Sequence, residues 1–412
     1  MQNMCGVQGI YGIPQPVNEP PFTLAERDRR WAVLRELMED RGIEVLIVLN
    51  EWLPSDSLYI ADTAGVTIFP LDEEPTLILG GEASNLAVDQ PSWISDRASV
   101  TSTGSTAASY GASIVEVLSR RGLLNRKIAI AGLRSHTYAS VRQPEGYANY
   151  TTVRTVADVA SQPIEDGTPL LGDARYVKSE EEIARLGASL RVAEKSIDAM
   201  LEAAAENVEQ AEVFAQMLAA QVRGGADDLY VAWCPGLWGE DRHRYVTTPR
   251  GTLTQGTYVS VEVMPEIRGY HAQAAQPLVI GAPNAQAVEI FEMNAQAFDR
   301  ACEMLKPGVT WGEVGDEVNA VADGTPYQVT LLLHGRGLGN DGPLLIPVGP
   351  RAFARDLQIR ENTVFILKPF VLPKGAKTPI TRAHDVTWGD TIVIRADGAQ
   401  RVGTRERTLA VR

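Results

Sequence analysis

Cysteine is scarce in this chain. Its 412 residues hold three, Cys5, Cys234 and Cys302, and an odd number so widely spaced suggests neither a disulfide framework nor a thiolate zinc site. The segment Trp233-Cys234-Pro235-Gly236 carries a lone thiol with no base paired to it in sequence, so thiol catalysis is not indicated. No stretch approaches the roughly 18 apolar residues that a membrane span needs. The opening residues, Met1 to Gly6, show no basic region leading into an apolar one, so no secretory leader is expected and a cytoplasmic location is. Long Lys/Arg runs are missing as well, and the net charge is −14. An acidic surface repels phosphate backbones, which argues against nucleic acid as a partner. Gly335-Arg336-Gly337-Leu338-Gly339 is glycine-rich, but no strand–GxGxxG–helix unit contains it, so dinucleotide binding is not expected. No cofactor is called for by any motif.

What is present is an ordinary globular balance, 44% hydrophobic and 22% charged, in a chain long enough for two domains. Residues 1–23 carry Pro14, Pro16, Pro20 and Pro21, which fix the backbone and remove amide donors, and they read as an extended arm. Residues 24–41 place Trp31, Leu34, Leu37 and Met38 on one helical stripe that Gly42 ends. Strands are expected at 43–49 (IEVLIVL), 66–69, 76–79 and 127–131, with a helix over 106–121. This alternation indicates an α/β domain over 24–174. Beyond it the texture changes. Ser179 and Glu182 have capping-box spacing, and a long helix follows with Ile183, Leu186, Leu190, Ala193, Ile197 and Met200 on one face. Further helices are expected over 208–223, 284–305 and 311–322, and strands at 258–264, 276–280, 363–371 and 391–396. The class is α+β, with long helices and a curved antiparallel sheet in a second domain over 175–412.

Four stretches of that second domain, in order, resemble the creatinase, aminopeptidase P, prolidase and methionine aminopeptidase family. They are residues 176–183 (YVKSEEEI), 256–270 (GTYVSVEVMPEIRGY), 306–314 (KPGVTWGEV) and 334–338 (HGRGL). The resemblance implies a creatinase-like N-terminal domain followed by a pita-bread catalytic domain. It also implies a homodimer in which the N-terminal domain of one subunit covers the other's cavity. Metallopeptidases of the family hold two divalent ions with Asp, Asp, His, Glu and Glu. Carried over position by position, these become Glu262, Gln273 eleven residues on, His334, Lys368 (in Leu367-Lys368-Pro369) and Gly389 (in Trp388-Gly389-Asp390). Only the histidine is kept.

Hard divalent ions need several oxygen ligands, and an ammonium opposes them. At an effective dielectric near 20, two unit charges about 4 Å apart interact by about 4 kcal/mol, and a dication beside Lys368 is disfavoured by about twice that. The same ammonium can neutralise Glu262 instead, so no metal is expected. Creatinase is the family's precedent for metal-free C–N hydrolysis, and Pro265, Ile267, Gly269 and Tyr270 match its pattern. Its catalytic histidine falls on Tyr245, with His243 two residues earlier, and its active-site glutamates fall on Ala275 and Lys368.

The expected catalytic set is therefore His334, Lys368, Tyr245, Glu262 and His243. His334 suits proton transfer near neutral pH, and Lys368 suits binding a carboxylate or an oxyanion. Glu262 is either a base or the partner of Lys368. Gln273, Arg336, Asp341, His271 and His384 are expected to bind substrate. Arg336 is either a bidentate carboxylate binder or half of a surface ion pair, and Asp341 occupies the place of a second family histidine. The expected activity is metal-independent acid/base chemistry on a small polar substrate, with C–N hydrolysis first. A lyase, cyclase or isomerase reaction and a silent peptide- or partner-binding module stand as alternatives.

Overall fold

The computed structural model describes residues 21–49, 55–80, 92–100, 110–136, 146–240, 249–339, 341–345, 355–375 and 384–412. The expected arm lies outside them except for its last three residues. The chain divides into two compact units, Met1–Tyr176 with Leu338–Gly342, and Val177–Gly337 with Pro343–Arg412.

In the first unit, α1 (Leu24–Arg41) starts where the Thr23 hydroxyl accepts the Glu26 amide at 3.2 Å and stops at Gly42, whose φ of 62° suits a residue without a side chain. There follow β1 (Val45–Val48), α2 (Ser55–Ala61), β2 (Val66–Pro70), β3 (Thr76–Leu79), β4 (Asp96–Ser99), α3 (Tyr110–Arg120), β5 (Ile128–Ile130), α4 (Tyr150–Ala157), β6 (Glu165–Asp166) and α5 (Thr168–Tyr176). The strands form one mixed sheet in the order β4-β3-β2-β1-β5-β6. Strand β1 is antiparallel to β2 and parallel to β5. All four of its residues are buried, which explains its unbroken apolar run. Val45 and Ile47 share a core with Ile114, Val117 and Leu118 of α3. The sequence reading did not anticipate α2, α4, α5, β4 or β6; these helices span only seven to nine residues and these strands four and two.

The second unit opens with α6 (Glu180–Ala203), whose capping box is complete. Glu182 N donates to Ser179 Oγ at 3.1 Å and Ser179 N to Glu182 Oε2 at 3.0 Å. It continues with α7 (Gln210–Arg223), β7 (Val231–Leu237), β8 (Thr257–Val263), β9 (Glu266–Ile267), β10 (Tyr270–His271), β11 (Ala274–Val279), α8 (Ala285–Met304), α9 (Trp311–Ala320), β12 (Tyr327–Gly335), β13 (Gly337–Leu338), β14 (Leu344–Leu345), β15 (Val364–Pro373), β16 (Asp390–Arg395), β17 (Gly398–Arg401) and β18 (Ala410–Val411). Two larger sheets result, β18-β11-β8-β7 and β14-β12-β15-β16-β17. Helix α7 packs on α6, and α8 packs on β15. Among the described residues no helix is long and apolar enough to cross a membrane.

Among the described residues, the Ala275–Gly389 bridge joins the two sheets of this unit. Ala275 N donates to Gly389 O at 3.0 Å, and Gly389 N returns to Ala275 O at 3.2 Å. The approach leaves no space for a side chain at 389. A Cβ there would lie 2.6 Å from Lys368 Cγ and 2.8 Å from Leu367 O. Gly389→Ala is therefore expected to destabilise the protein by about 1–3 kcal/mol. In Gly389→Ala/Lys368→Ala the loss should be smaller than the sum of the two single losses, because one of the two clashing groups is gone. Urea-denaturation midpoints measure all three variants, and strictly additive losses would refute the steric link.

Candidate functional site

Strand alternation and register assemble the site within the second unit. In β8 the face that carries Glu262 is flanked by small residues, since Glu262 pairs with Ala232 on one side and Ala275 on the other. In the neighbouring sheet Lys368 pairs with Leu332, and His334 pairs with Ile366. His334 and Lys368 thus share one face as diagonal neighbours, roughly 7–8 Å apart at the backbone. The glycine at 389 lets the Lys368 stem pass between the sheets, and its ammonium stands 3.1 Å from Glu262 Oε1. Both groups are buried, Lys368 at 2% and Glu262 at 7% exposure.

Gln273 completes the surroundings of the carboxylate. Its Nε2 donates to Glu262 Oε2 at 2.8 Å, while its Oε1 accepts from Arg336 Nη2. The two contacts require opposite ends of the amide, which settles its orientation. The Gln273 backbone is fastened to the second sheet, with its N–H donating to Thr391 Oγ1 at 2.9 Å and its carbonyl accepting from the same hydroxyl at 2.8 Å.

Arg336 is buried at 2% exposure and so does not lie on the surface. Its Nη1 donates to Met264 Sδ at 2.9 Å, and Nη2 stands 3.4 Å from Nδ1 of the half-buried His334. A guanidinium has only donors, so Nδ1 is the acceptor in that contact and the imidazole proton belongs on Nε2. Arg336, Lys368 and Glu262 together carry a net charge of +1.

The remaining expected residues are scattered. His271 Nε2 is 2.9 Å from Glu266 Oε2. Burial pushes the Glu266 carboxyl up, but the His271 contact and the Gly269 amide outweigh it and hold it below the usual range. His384 packs edge-on against Trp238, with centroids 5.1 Å apart, and Trp238 leans on Tyr258. Asp341 belongs to the first unit, where it pairs with Arg175 Nη2 at 2.5 Å. His243 and Tyr245 lie outside the described residues.

Sequence reasoning missed Met264, Thr391 and Arg405 as neighbours of the site. Alternation from Gly389 places Thr391 on the inward face, and from Glu262 it places Met264 there. Nothing in the sequence signals Arg405. Among the described residues, no three His, Cys, Asp or Glu side chains are grouped to hold a metal ion.

Comparison with known proteins agrees with this architecture. The model of metallopeptidase family M24 matches residues 184–396, just over half of the chain. The Xaa-Pro dipeptidase of Pyrococcus horikoshii is 26% identical over 281 residues, covering 66% of this chain and 72% of that protein. The creatinase of a Bacillus species is 23% identical over 409 residues, 93% of this chain and 92% of its own. Among solved structures, the Xaa-Pro dipeptidase from Bacillus anthracis superimposes with a TM-score of 0.71 at 16% identity, covering 93% of this chain and 99% of that one. The X-Pro aminopeptidase from Thermotoga maritima gives 0.70 at 16% identity, with 90% and 98% covered. These structures share the pita-bread fold of the second unit and the overall α+β class. The chain belongs to metallopeptidase family M24.

Proposed function

We propose that the protein is a metal-independent enzyme that hydrolyses a C–N bond in a small polar molecule bearing a carboxylate or amide. The observation that carries this reading is the buried contact between Lys368 Nζ and Glu262 Oε1 at 3.1 Å. A pair of divalent ions asks for several anionic oxygens. Among the residues carried over from the family's ligand positions Glu262 is the one carboxylate, and an ammonium and an amide already hold it. The donor set does not fit the ions of the family.

In the proposed reaction water adds at the carbon, the C–N bond breaks, and the leaving nitrogen takes up a proton. Lys368 faces the negative charge that develops on the attacked group, a place where a fixed cation in a dry setting is most effective. His334, with its proton on Nε2, supplies a hydrogen bond or a proton to the departing nitrogen. Gln273 and Arg336 hold these groups in place, and Tyr245 or His243 completes the proton traffic. By resemblance to its family the protein is proposed to work as a homodimer.

One observation favours a second reading. Both oxygens of Glu262 are engaged, one by Lys368 and one by Gln273, which weakens it as the base that activates water. An elimination, cyclisation or isomerisation needs no activated water and uses the same cation and imidazole.

Metal content, a ligand screen and a double substitution test the proposal. Purified protein is expected to hold well below one equivalent of manganese, iron or zinc by plasma mass spectrometry, and chelators should leave turnover unchanged. A stoichiometric metal that turnover requires sinks the metal-free reading. Substrates are found by thermal shift against small amino acids, amides and guanidines, since a ligand at 100 times its Kd stabilises by about 2.7 kcal/mol. Removing Lys368 alone strands a buried carboxylate at a cost of about 3–5 kcal/mol, so the informative change is Glu262→Gln/Lys368→Met. It is expected to stay folded and to lose turnover by at least about 100-fold. Unchanged ligand binding by this variant, with no turnover in either protein, would instead identify a binding module.

A further inference from the structure

Behind the Ala275–Gly389 bridge lies a guanidinium that the proposed chemistry leaves unused. Arg405 Nη2 donates to Gly389 O at 2.9 Å, and Nη1 reaches Ala275 O at 3.4 Å and Gln276 Oε1 at 2.9 Å. One planar fork therefore spans both carbonyls of the bridge, each of which already accepts an amide from the other strand. Arg405 is itself held firmly. Its amide donates to Glu194 Oε1 at 3.0 Å, and its guanidinium sits 4.9 Å from the centroid of the buried Trp388 ring.

The two bridged residues are the ones that border the working pair. Ala275 is the register partner of Glu262. The open side of Gly389 is filled by the Lys368 stem, whose Cγ lies 2.6 Å from where a Cβ would stand. We infer that Arg405 is a positioning residue, which clamps the seam between the two sheets and thereby holds Lys368 Nζ against Glu262. Lysine replaces it only in part, because a single ammonium lacks the planar fork that presents two parallel donors to two carbonyls. The inference rests on the reading of Lys368 as the working cation of the site, but its test does not use turnover.

Brief acetylation with an amine-reactive ester, followed by peptide mass spectrometry, measures how tightly Lys368 is held. Lys178, also 2% exposed in the same unit, is the internal control. Arg405→Met is expected to raise the labelling of Lys368 by about tenfold while Lys178 stays at its wild-type rate, and Arg405→Lys should fall between. Lys368 labelling at the wild-type rate in folded Arg405→Met overturns the inference. So does a parallel rise at Lys178, which would mean general loosening. If Arg405→Met does not fold, Arg405→Lys decides alone, and wild-type labelling of Lys368 in that variant counts against the clamp. Stoichiometric metal, or full turnover by Glu262→Gln/Lys368→Met, would end the functional proposal and leave the labelling result standing, so the two failures are distinguishable.

Discussion

The second unit is organised around a buried ion pair. Taking a carboxylate and an ammonium out of water is expensive, and the cost is recovered only with good geometry and further hydrogen bonds. Glu262 has both: Lys368 on one oxygen and the Gln273 amide on the other. The surroundings follow from that demand. Alanines flank Glu262 on both neighbouring strands, and glycine at 389 gives the lysine stem its passage. A side chain at 389 would compete for the volume that the stem occupies. Glu262, Gln273, Lys368 and Gly389 are thus parts of one packing arrangement.

Charge placement extends outward from that pair along a single chain. Arg336 donates to Gln273, Gln273 donates to Glu262, and Lys368 closes the far end. An amide between two charged groups transmits orientation, because each of its ends has only one compatible role. Arg336 also stands beside His334 Nδ1, so one guanidinium sets both the amide orientation and the imidazole tautomer.

Much of this was legible in the sequence, for identifiable reasons. Long amphipathic helices show several turns of periodicity: α8 agrees with its expected span to within about one residue, and α6 starts at the expected capping box and contains the expected apolar face. The facing of Glu262 by Lys368 followed from aligning the ligand positions and asking what an ammonium does beside a carboxylate. Other features depend on tertiary packing alone. For Arg336 between two glycines the sequence left a carboxylate binder and a surface ion pair equally open; the side chain is buried against a thioether and an amide. Gly389 was visible as a departure, but its reason, the passage of a neighbouring strand's side chain, appears only in three dimensions. Asp341 falls in the other compact unit with Arg175, although seven residues separate it from His334.

The seam between the sheets explains why the site needs more than its own polar residues. A 3.1 Å contact between groups on separate sheets persists only if the sheets cannot slide, because a shift of one ångström along the seam replaces an ion pair with two poorly solvated charges. Three fastenings oppose that motion. The Ala275–Gly389 bridge joins the strands, Thr391 binds both backbone groups of Gln273, and Arg405 spans the carbonyls behind them. Burial pushes the Arg405 guanidinium down and the neighbouring Asp390 carboxyl up, each opposed by the charge of the other. The rigidity of this seam comes from hydrogen bonds across it, given by the Ala275 and Gly389 amides, the Gln273 amide and the Arg405 guanidinium.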